Sequence, residues 1–434
     1  MSRGRTDRRV GRRRVLAALL VALLLVPAAT SGVEHIVENG SAAEAADLDR
    51  PAGNVTFATS QGREFQAAGA AFVVIDTDSG ERLRRYDDFY RYYDVDPLGD
   101  NRVLLVADLQ GVDPSSGFFA VTMNWRTGEV VDRFPIPADT HDVDYIGNGE
   151  YAIADIKSDR VSVYDRSREQ VTWFFDFGDQ YPNRSAGKGE GFTHLNDVDP
   201  IDNGSAFLVS PRNLDRVVLI NRSTKRVEWT LGSEDDRSVL YEQHNPTLVS
   251  RSPPTVLVAD SENDRVVEYR KNGSAWEATW RYTDLEGWPR DADRLPNGNT
   301  LIVDTWGTQV LEVTPEGEVV ERYEIAGQGT YDAERLPHGE EPAGPPIDAL
   351  RDRSEPAIDS PGSAADSGRS ELGTGVDDAV ELVESIETAY YLSQWVLPSW
   401  LGKGESLALV LAAVFGLGWV MSESYRLIRR RSSN

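Results

Sequence analysis

Short runs of apolar residues, separated by polar turn residues, fill the middle of this 434-residue chain. They read, for example, AFVVI, RVLLV and TLIV, and no segment with helical periodicity interrupts them between about residues 54 and 340. Runs of this length, rich in β-branched residues and bounded by turns, are typical of β-strands. The pattern therefore predicts one all-β domain over residues 54–340.

A longer phrase repeats along these strands: one variable residue, an acid-hydrophobic-acid step, a Gly or Asn turn, and a β-branched run. Its copies, of which the fourth is divergent, begin at Tyr93, His141, Asn196, His244, Arg290 and Tyr331. Successive copies lie 48, 55, 48, 46 and 41 residues apart. Because four-stranded propeller blades recur at this spacing, the repeat predicts a β-propeller.

The number of blades depends on how the two ends of the domain join. The fifth unit is complete, with strands predicted at 290–295, 300–305, 309–314 and 319–325. The sixth has one strand at 331–336, and the runs at 55–59, 72–76 and 82–86 supply its other three. This closure leaves no unpaired sheet edge at the seam and predicts six blades. A five-bladed ring with the flanking strands outside it is the alternative.

Both ends of the chain carry membrane signals. Residues 1–32 are basic and then apolar, as in a signal peptide or an N-terminal anchor, and a loose twin-arginine match leaves Sec or Tat export open. Residues 405–425 predict a C-terminal transmembrane helix followed by arginines. A disordered linker at 341–373 and an amphipathic helix at 374–401, either on the membrane or packed on the propeller, would precede it.

These segments predict a protein of the cell membrane, with the propeller on the extracellular side. Both termini are cytoplasmic if the N-terminal segment stays uncleaved. The C-terminal helix then makes the membrane a partner of the chain.

Charge and cysteine content narrow the classes of partner. The formal net charge is −26, which argues against nucleic acid, and only five of the 45 basic residues are lysines. An acidic, lysine-poor surface is typical of a halophilic protein, although an ordinary acidic secreted protein would look similar. The absence of cysteine excludes disulfides, thiolate catalysis and cysteine-bound zinc.

The residues that vary within the repeat point to function. The first strand of each propeller blade lines the central channel, so the variable first residues of the six copies, here called the ring residues, should meet at one mouth. Three of the five histidines of the chain are among or next to them. His194 is the third, two residues before the ring residue Asn196. The second strand of four blades ends in Asp, whereas the third blade has Pro211 followed by Arg212.

A family resemblance makes this pattern specific. The runs THLN from Thr193, LVSPR from Leu208, VEWTLG from Val227, EQHN from Glu242 and HDV from His141 resemble the PAPS-independent arylsulfotransferases, which are six-bladed β-propellers. The bacterial members also have an N-terminal β-domain that pairs subunits. Only about 25 residues separate the apolar segment from the first predicted strand here, so that dimer is not expected.

The resemblance implies a ping-pong transfer that uses no cofactor and no metal. His244 would attack an aryl sulfate and form a sulfo-histidine, and a phenolic or other hydroxyl acceptor would then take the sulfuryl group. His141, His194 and Arg212 would hold the sulfuryl oxygens. The ring residues and one tryptophan would bind the substrate: Asn196, Tyr93, Arg290, Tyr331 and Trp306.

Three other interpretations of these residues stay open. Calcium could bind the acid pairs of the repeat, at Asp94/Asp96, Asp142/Asp144, Asp197/Asp199 and Asp291/Asp293. A metal on the three histidines would make the protein a propeller lyase or oxidase, although Arg212 nearby disfavours a cation. A non-catalytic exported propeller could instead bind an envelope partner.

Overall fold

The computed structural model describes residues 55–350 except 63–68, 110–116, 183–190, 235, 326–328 and 340–343, together with 358–359 and 412. All of these but Ala412 belong to one compact unit, Ala45–Arg369. The predicted segments 1–32, 374–401 and 405–425 therefore lie outside the described residues, apart from Ala412. Within the described part of the chain, no helix is long and apolar enough to cross a bilayer.

The strands form six antiparallel sheets around a ring, as the repeat predicts. The sixth sheet includes the first three strands of the chain: β1 (Val55–Ser60), β2 (Ala71–Asp76) and β3 (Arg82–Tyr86). The first sheet consists of β4 (Arg91–Gly99), β5 (Arg102–Asp108), β6 (Phe118–Asn124) and β7 (Val130–Pro135). The second consists of β8 (Val143–Gly147), β9 (Glu150–Asp155), β10 (Arg160–Asp165) and β11 (Gln170–Asp176), followed by helix α1 (Phe177–Gln180).

The remaining blades follow the same order from the channel outward. The third consists of β12 (Leu195–Ile201), β13 (Ala206–Pro211), β14 (Arg216–Asn221) and β15 (Arg226–Gly232). The fourth consists of β16 (His244–Arg251), β17 (Pro254–Asp260), β18 (Arg265–Asn272) and β19 (Ala275–Tyr282). The fifth consists of β20 (Pro289–Arg294), β21 (Thr300–Asp304), β22 (Gln309–Val313) and β23 (Val319–Glu324), and β24 (Thr330–Arg335) starts the sixth.

The ring closes by pairing the last blade strand with the first strand of the domain. Strand β24 runs antiparallel to β1, with Ala58 opposite Ala333 and Thr56 opposite Arg335. The Arg335 guanidinium donates to Thr56 Oγ1 at 2.8 Å and to Glu312 in the fifth blade at 3.0 Å. The predicted six-bladed closure is therefore confirmed, and the five-bladed alternative is wrong.

Both faces of each inner strand are buried because the blades stack face to face. Phe207 packs into a cluster with Val161 of the second blade, whereas its neighbour Leu208 packs into a cluster with Val256 of the fourth. A strand buried on both faces reads as a continuous apolar run and not as a strict alternation. This explains the unbroken runs that mark the second strand of each blade.

In four blades, the acid that follows the ring residue links neighbouring blades. Asp332 accepts a hydrogen bond from the backbone N–H of Val95 at 2.8 Å, and Asp291 accepts one from Ala333 at 3.3 Å. The carboxylates of two further blades do the same: Asp94 bonds to the N–H of Val143, and Asp142 to that of Val198. The repeated acid is therefore a blade-to-blade clasp.

The structure differs from the prediction of a disordered linker over 341–373. Within it, helix α2 (Ile347–Leu350) packs on the fourth blade, where Ile347 is fully buried and its N–H bonds to Glu268. Asp348 pairs with Arg270, and strand β25 (Ile358–Asp359) adds to β19 in parallel. One buried apolar side chain is enough to anchor this Pro- and Gly-rich stretch. The composition of the stretch does not predict such an anchor.

A buried ion pair joins the fifth blade to the fourth, and breaking it tests how the blades are held together. Arg294 donates to Glu268 at 2.9 Å, and both side chains are fully buried. Arg294→Met leaves that carboxylate buried without its cation, so we expect the free energy of unfolding to fall by about 3–5 kcal/mol in urea denaturation. Arg166→Met, which breaks a half-exposed pair with Asp132, should cost less than about 1 kcal/mol. Equal losses in the two variants would contradict this.

Candidate functional site at the channel mouth

The ring residues and their neighbours meet at one mouth of the channel. The ring of Tyr93 stacks on that of His141, with centroids 4.6 Å apart and planes 14° apart. His141 lies 5.3 Å from His194 and 5.4 Å from Tyr331, measured between ring centroids. Tyr331 in turn lies 6.3 Å from His244. Three histidines from the second, third and fourth blades therefore share one continuous aromatic cluster.

Tyr331 is the hub of this cluster and is 1 % exposed. Its hydroxyl lies 2.9 Å from Nδ1 of His141, and its ring lies beneath the guanidinium of Arg290 at 4.6 Å. Burial raises the pKa of Tyr331 well above its ordinary value. The phenol therefore stays protonated at neutral pH.

His244 is held in one tautomer. Its Nδ1 lies 2.7 Å from Ser261 Oγ, and that hydroxyl also lies 2.7 Å from the carbonyl oxygen of Pro289. A carbonyl can only accept, so Ser261 donates its single hydrogen to Pro289 and accepts from the Nδ1–H of His244. The lone pair of the imidazole is then on Nε2.

All three histidines of the site have lowered pKa values. Burial is the main cause for each. The positive charges of Arg290 and Arg212 lower the pKa of His244 further, and His141 adds to the lowering at His194. Asp139, 3.6 Å from Nε2 of His141, opposes the shift at His141 without reversing it. The three imidazoles are therefore neutral at pH 7.

Arg212 begins a 3₁₀ turn (Arg212–Leu214) directly after β13 and forms an ion pair with Glu242. Ser261 occupies the equivalent place after β17, and Thr305 the equivalent place after β21. The hydroxyls of Ser261 and Thr305 both donate to the carbonyl just before the next ring residue. The third blade therefore has a guanidinium where two others have a structural hydroxyl.

Arg290 is the second guanidinium of the site and is only 6 % exposed. Its guanidinium carbon lies 4.3 Å from the ring centroid of Trp288 and 4.6 Å from that of Tyr331. Burial lowers its pKa to about 10. Within the described ranges, its Nε and Nη1 atoms have no hydrogen-bond partner.

Two residues predicted to bind substrate have supporting positions. Asn196 is fully buried, and its side-chain amide donates to the carbonyl oxygen of Gln243 at 2.9 Å, directly before His244. Trp306 packs on Trp288 at 5.8 Å and so joins the site through that ring. Tyr93, His141, His194, His244, Arg290 and Tyr331 are in the cluster itself, while Arg212 adds its charge to the field at the histidines.

The sequence did not reveal a second layer of side chains, two residues before the ring position. Residues there have positive φ in four blades: Asp139 at 62°, His194 at 44°, Glu242 at 47° and Trp288 at 53°. Asp215 and Asp264 accept hydrogen bonds from the N–H groups of Glu242 and Trp288. The repeated Asp-Arg steps, interpreted from the sequence as turns that stabilise the blades, include these two acids. The available sequence signal was that Asp139, Glu242 and Trp288 stand at the same position of the repeat as His194.

Glu262, two residues after the end of β17, also lies at this mouth and was not predicted. The indole N–H of Trp288 donates to it at 3.1 Å. Burial raises the pKa of its carboxyl, and the charge of Glu242 adds to the effect. Two carboxylates and two guanidiniums therefore share the rim of the site.

The metal interpretations find no support in the geometry. Among the residues that the structure describes, no group of three His, Asp or Glu side chains is arranged to hold a metal ion. Three of the acids that suggested calcium accept hydrogen bonds from backbone N–H groups: Asp94, Asp142 and Asp291. Asp332, at the equivalent position of the sixth blade, does the same.

Comparisons with known proteins give only distant similarities. No family model and no curated protein matches the chain. A protein of unknown function from Bacteroides caccae is similar over 65 % of this chain and 99 % of its own, at 14 % identity and a TM-score of 0.46. A putative 6-phosphogluconolactonase from Bacteroides fragilis is similar over 67 % and 100 %, at 10 % identity and 0.46.

A virginiamycin B lyase from Staphylococcus aureus is similar over 62 % of this chain and 74 % of its own, at 11 % identity and a TM-score of 0.36. Similarities at these levels carry no argument about function. The function must therefore be argued from the site itself.

The lowered pKa values predict acid sensitivity. A buried histidine whose folded pKa lies below 6.5 lets the unfolded state bind more protons, so the stability present above pH 6.5 is lost as the pH falls. We expect His244→Gln to reduce the slope of unfolding free energy against pH below 6 by up to about 1.4 kcal/mol per pH unit. His338→Gln, at an exposed position, should leave the slope unchanged. Urea denaturation at several pH values measures this, and an unchanged slope in His244→Gln would refute it.

Proposed function

We propose that this protein is an arylsulfotransferase-like enzyme that moves a sulfuryl group from an aryl sulfate to a phenolic or other hydroxyl acceptor through a sulfo-histidine on His244. The observation that carries the proposal is a neutral histidine with a fixed tautomer, which shares an aromatic cluster with a buried guanidinium. Nucleophilic catalysis requires the first feature, and an anionic substrate requires the second.

The hydrogen bonds around His244 favour Nε2 as the nucleophile. Ser261 takes up the Nδ1–H, so the other nitrogen keeps its lone pair. The lowered pKa keeps that lone pair unprotonated at neutral pH, when an ordinary histidine would be partly protonated. No proton has to be removed from Nε2 before it attacks.

The charges that help to keep His244 neutral also favour the reaction of an anion. After burial, Arg290 and Arg212 are the main causes of the lowered pKa of His244, so their positive charge acts at the ring. The same field stabilises the negative charge that a sulfuryl group spreads over its oxygens during transfer. One preorganised donor of this kind typically contributes about 10²–10³ in rate.

The proposed cycle balances in two steps. Nε2 of His244 forms a bond to sulfur while the bond between sulfur and the phenolic oxygen breaks, and the phenolate leaves with the electron pair. The hydroxyl of the acceptor then loses its proton, attacks sulfur and releases Nε2. Over the cycle one proton passes from the acceptor to the departed phenolate.

His194 is the best placed of the other histidines to carry that proton. Tyr331 occupies Nδ1 of His141, and Asp139 lies nearest to its Nε2. The ring of His194 is partly exposed and lies edge-on to that of His141 at 5.3 Å. Burial lowers the pKa of His194 to about 2 in the protein alone, and the negative charge of a bound sulfuryl group would raise that pKa, so that the imidazole can accept the proton of an entering hydroxyl.

We expect enzyme quenched during turnover of 4-methylumbelliferyl sulfate to carry an adduct of about 80 Da on the peptide that contains Gln243 and His244, because the covalent intermediate is a sulfuryl group. His244→Ala should lose both the adduct and transfer to phenol, whereas His338→Ala should keep both. Mass spectrometry of the labile adduct is the measurement.

Other outcomes of the same experiment would point elsewhere. Tight binding of an envelope protein, without turnover of a panel of aryl sulfates in high salt, would favour the non-catalytic propeller. A stoichiometric metal in the purified protein would favour the lyase or oxidase.

We further propose that the enzyme is tethered to the cell membrane with the propeller outside, on the basis of the apolar segments at the two ends. The chain has no cysteine, so a single introduced thiol reports its side of the membrane. Glu129→Cys, at an exposed turn of the propeller, should react with a membrane-impermeant maleimide in intact cells. Ser432→Cys should react only after lysis. Labelling of the second and not the first would reverse the proposed topology.

A further inference from the structure

Arg290 differs from the other buried arginines that the structure describes. Arg294 pairs with Glu268 and Arg335 with Glu312, each at 3.0 Å or less. Arg212, at the mouth, pairs with Glu242. Arg290 forms no ion pair within the described residues, although an unpaired buried charge is costly and rare in folded proteins. A fold that keeps such a charge needs a reason for it.

The surroundings of Arg290 hold its guanidinium in place without neutralising it. The faces of Trp288 and Tyr331 contact it at 4.3 and 4.6 Å. Cation–π contacts of this kind fix the position of a cation while its N–H groups stay available. The Nε and Nη1 groups are the ones that lack a partner. Guanidinium N–H groups are strong donors to oxyanions, so these two unpartnered groups can donate to one.

The same two rings connect this arginine to the nucleophile. His244 lies 6.4 Å from Trp288 and 6.3 Å from Tyr331, measured between ring centroids. An anion on Arg290 would therefore lie in the same aromatic enclosure as the imidazole of His244. Arg212 is already engaged by a carboxylate, so it contributes less net charge to that enclosure.

We propose that Arg290 is the residue that binds the oxyanion of the substrate, and that the site selects monoanionic sulfate esters over dianionic phosphate esters. The inference rests on the proposed function and names its substrate class. It follows from the ion pairing: Arg212 is paired with Glu242, whereas Arg290 has no carboxylate partner within the described residues and is the guanidinium left to meet an anion.

The rim of the site reinforces this selection. Asp139, Glu242 and Glu262 all lie around the mouth, so a second negative charge on the ligand meets carboxylates there. A sulfate ester carries one charge at neutral pH. A phosphate monoester, with a second pKa near 6, carries close to two.

Binding can be tested without turnover in His244→Gln protein, which lacks the nucleophile. Titration calorimetry at pH 8 with 4-nitrophenyl sulfate and 4-nitrophenyl phosphate should show tighter binding of the sulfate ester. Adding Arg290→Gln should weaken binding of the sulfate ester roughly 10- to 100-fold, as expected for loss of a charged hydrogen-bond partner. Arg166→Gln on the outer surface is the matched control and should leave both affinities unchanged.

Glu242→Gln gives the opposite and more specific result. It frees Arg212, so the site gains a second positive charge, and the phosphate ester should gain affinity more than the sulfate ester does. Unchanged affinity for the sulfate ester in Arg290→Gln, or equal affinities of the two esters before any change at Glu242, would overturn the proposal.

A stability measurement guards against misfolding as the cause of lost binding. Arg290→Met removes an unpaired buried charge, so the empty protein should unfold at a higher urea concentration than the wild type. 4-Nitrophenyl sulfate should raise the midpoint of His244→Gln protein and not that of the double variant His244→Gln/Arg290→Met. A lower midpoint for empty Arg290→Met would mean that the arginine is structural, which would overturn the proposal.

The two proposals fail separately. Binding of the sulfate ester that depends on Arg290, without any transfer, would leave this inference standing and reject the sulfotransferase. Suppose instead that the wild-type protein transfers the sulfuryl group and that Arg290→Gln does not change the KM. The sulfotransferase would then stand and this inference would be rejected.

Discussion

The clasp between blades is the constraint on which the site depends. In four blades the carboxylate after the ring residue bonds to a backbone N–H of the following blade, as in the pair of Asp332 and Val95. These bonds fix the spacing of the first strands around the channel. The ring residue directly before each of these carboxylates is therefore held at the mouth, whichever amino acid it is. Side chains separated by about 50 residues in sequence can meet because a structural acid stands beside each of them, and the ring position itself is free to vary.

The fold could be predicted from the sequence because its determinant is a period, and a period survives changes in individual residues. The ring residues followed from the same alignment, since equivalent positions of a propeller share one height along the channel. What could not be predicted depends on single torsions or single atoms. The positive φ of His194 turns it toward His141, the tautomer of His244 depends on the one hydrogen of Ser261, and Ile347 orders a stretch whose composition indicates disorder. None of these has a periodic signature.

The electrostatics of the site run against those of the rest of the protein. The chain carries a net charge of −26, and the opposite mouth opens into a cavity of about 390 Å³ lined by acids that include Asp96, Asp144 and Asp199. An anionic ester approaching this protein is repelled at long range and attracted only within the mouth. At molar salt concentration, the repulsion is screened beyond about 3 Å. The attraction within the mouth acts between partly desolvated groups, so salt screens it less. High ionic strength therefore suits the proposed reaction on the same grounds that an acidic surface suits high ionic strength.

The blade that carries His244, the proposed nucleophile, is also the one that departs from the clasp. After His244 the repeat has Asn245, with φ of 27°, and then Pro246, which has no N–H to offer to the preceding blade. Side chains of the third and fourth blades compensate: Asn196 and Ser210 donate to the carbonyl of Gln243, and its own amide bonds to Ser210 and to the carbonyl of Arg216. A repeated hydrogen bond that is missing at one position and replaced there by other side-chain hydrogen bonds is typical of functional positions. A structural reading of His244 would need no such replacement, because an acid and an N–H would hold the strand with fewer residues.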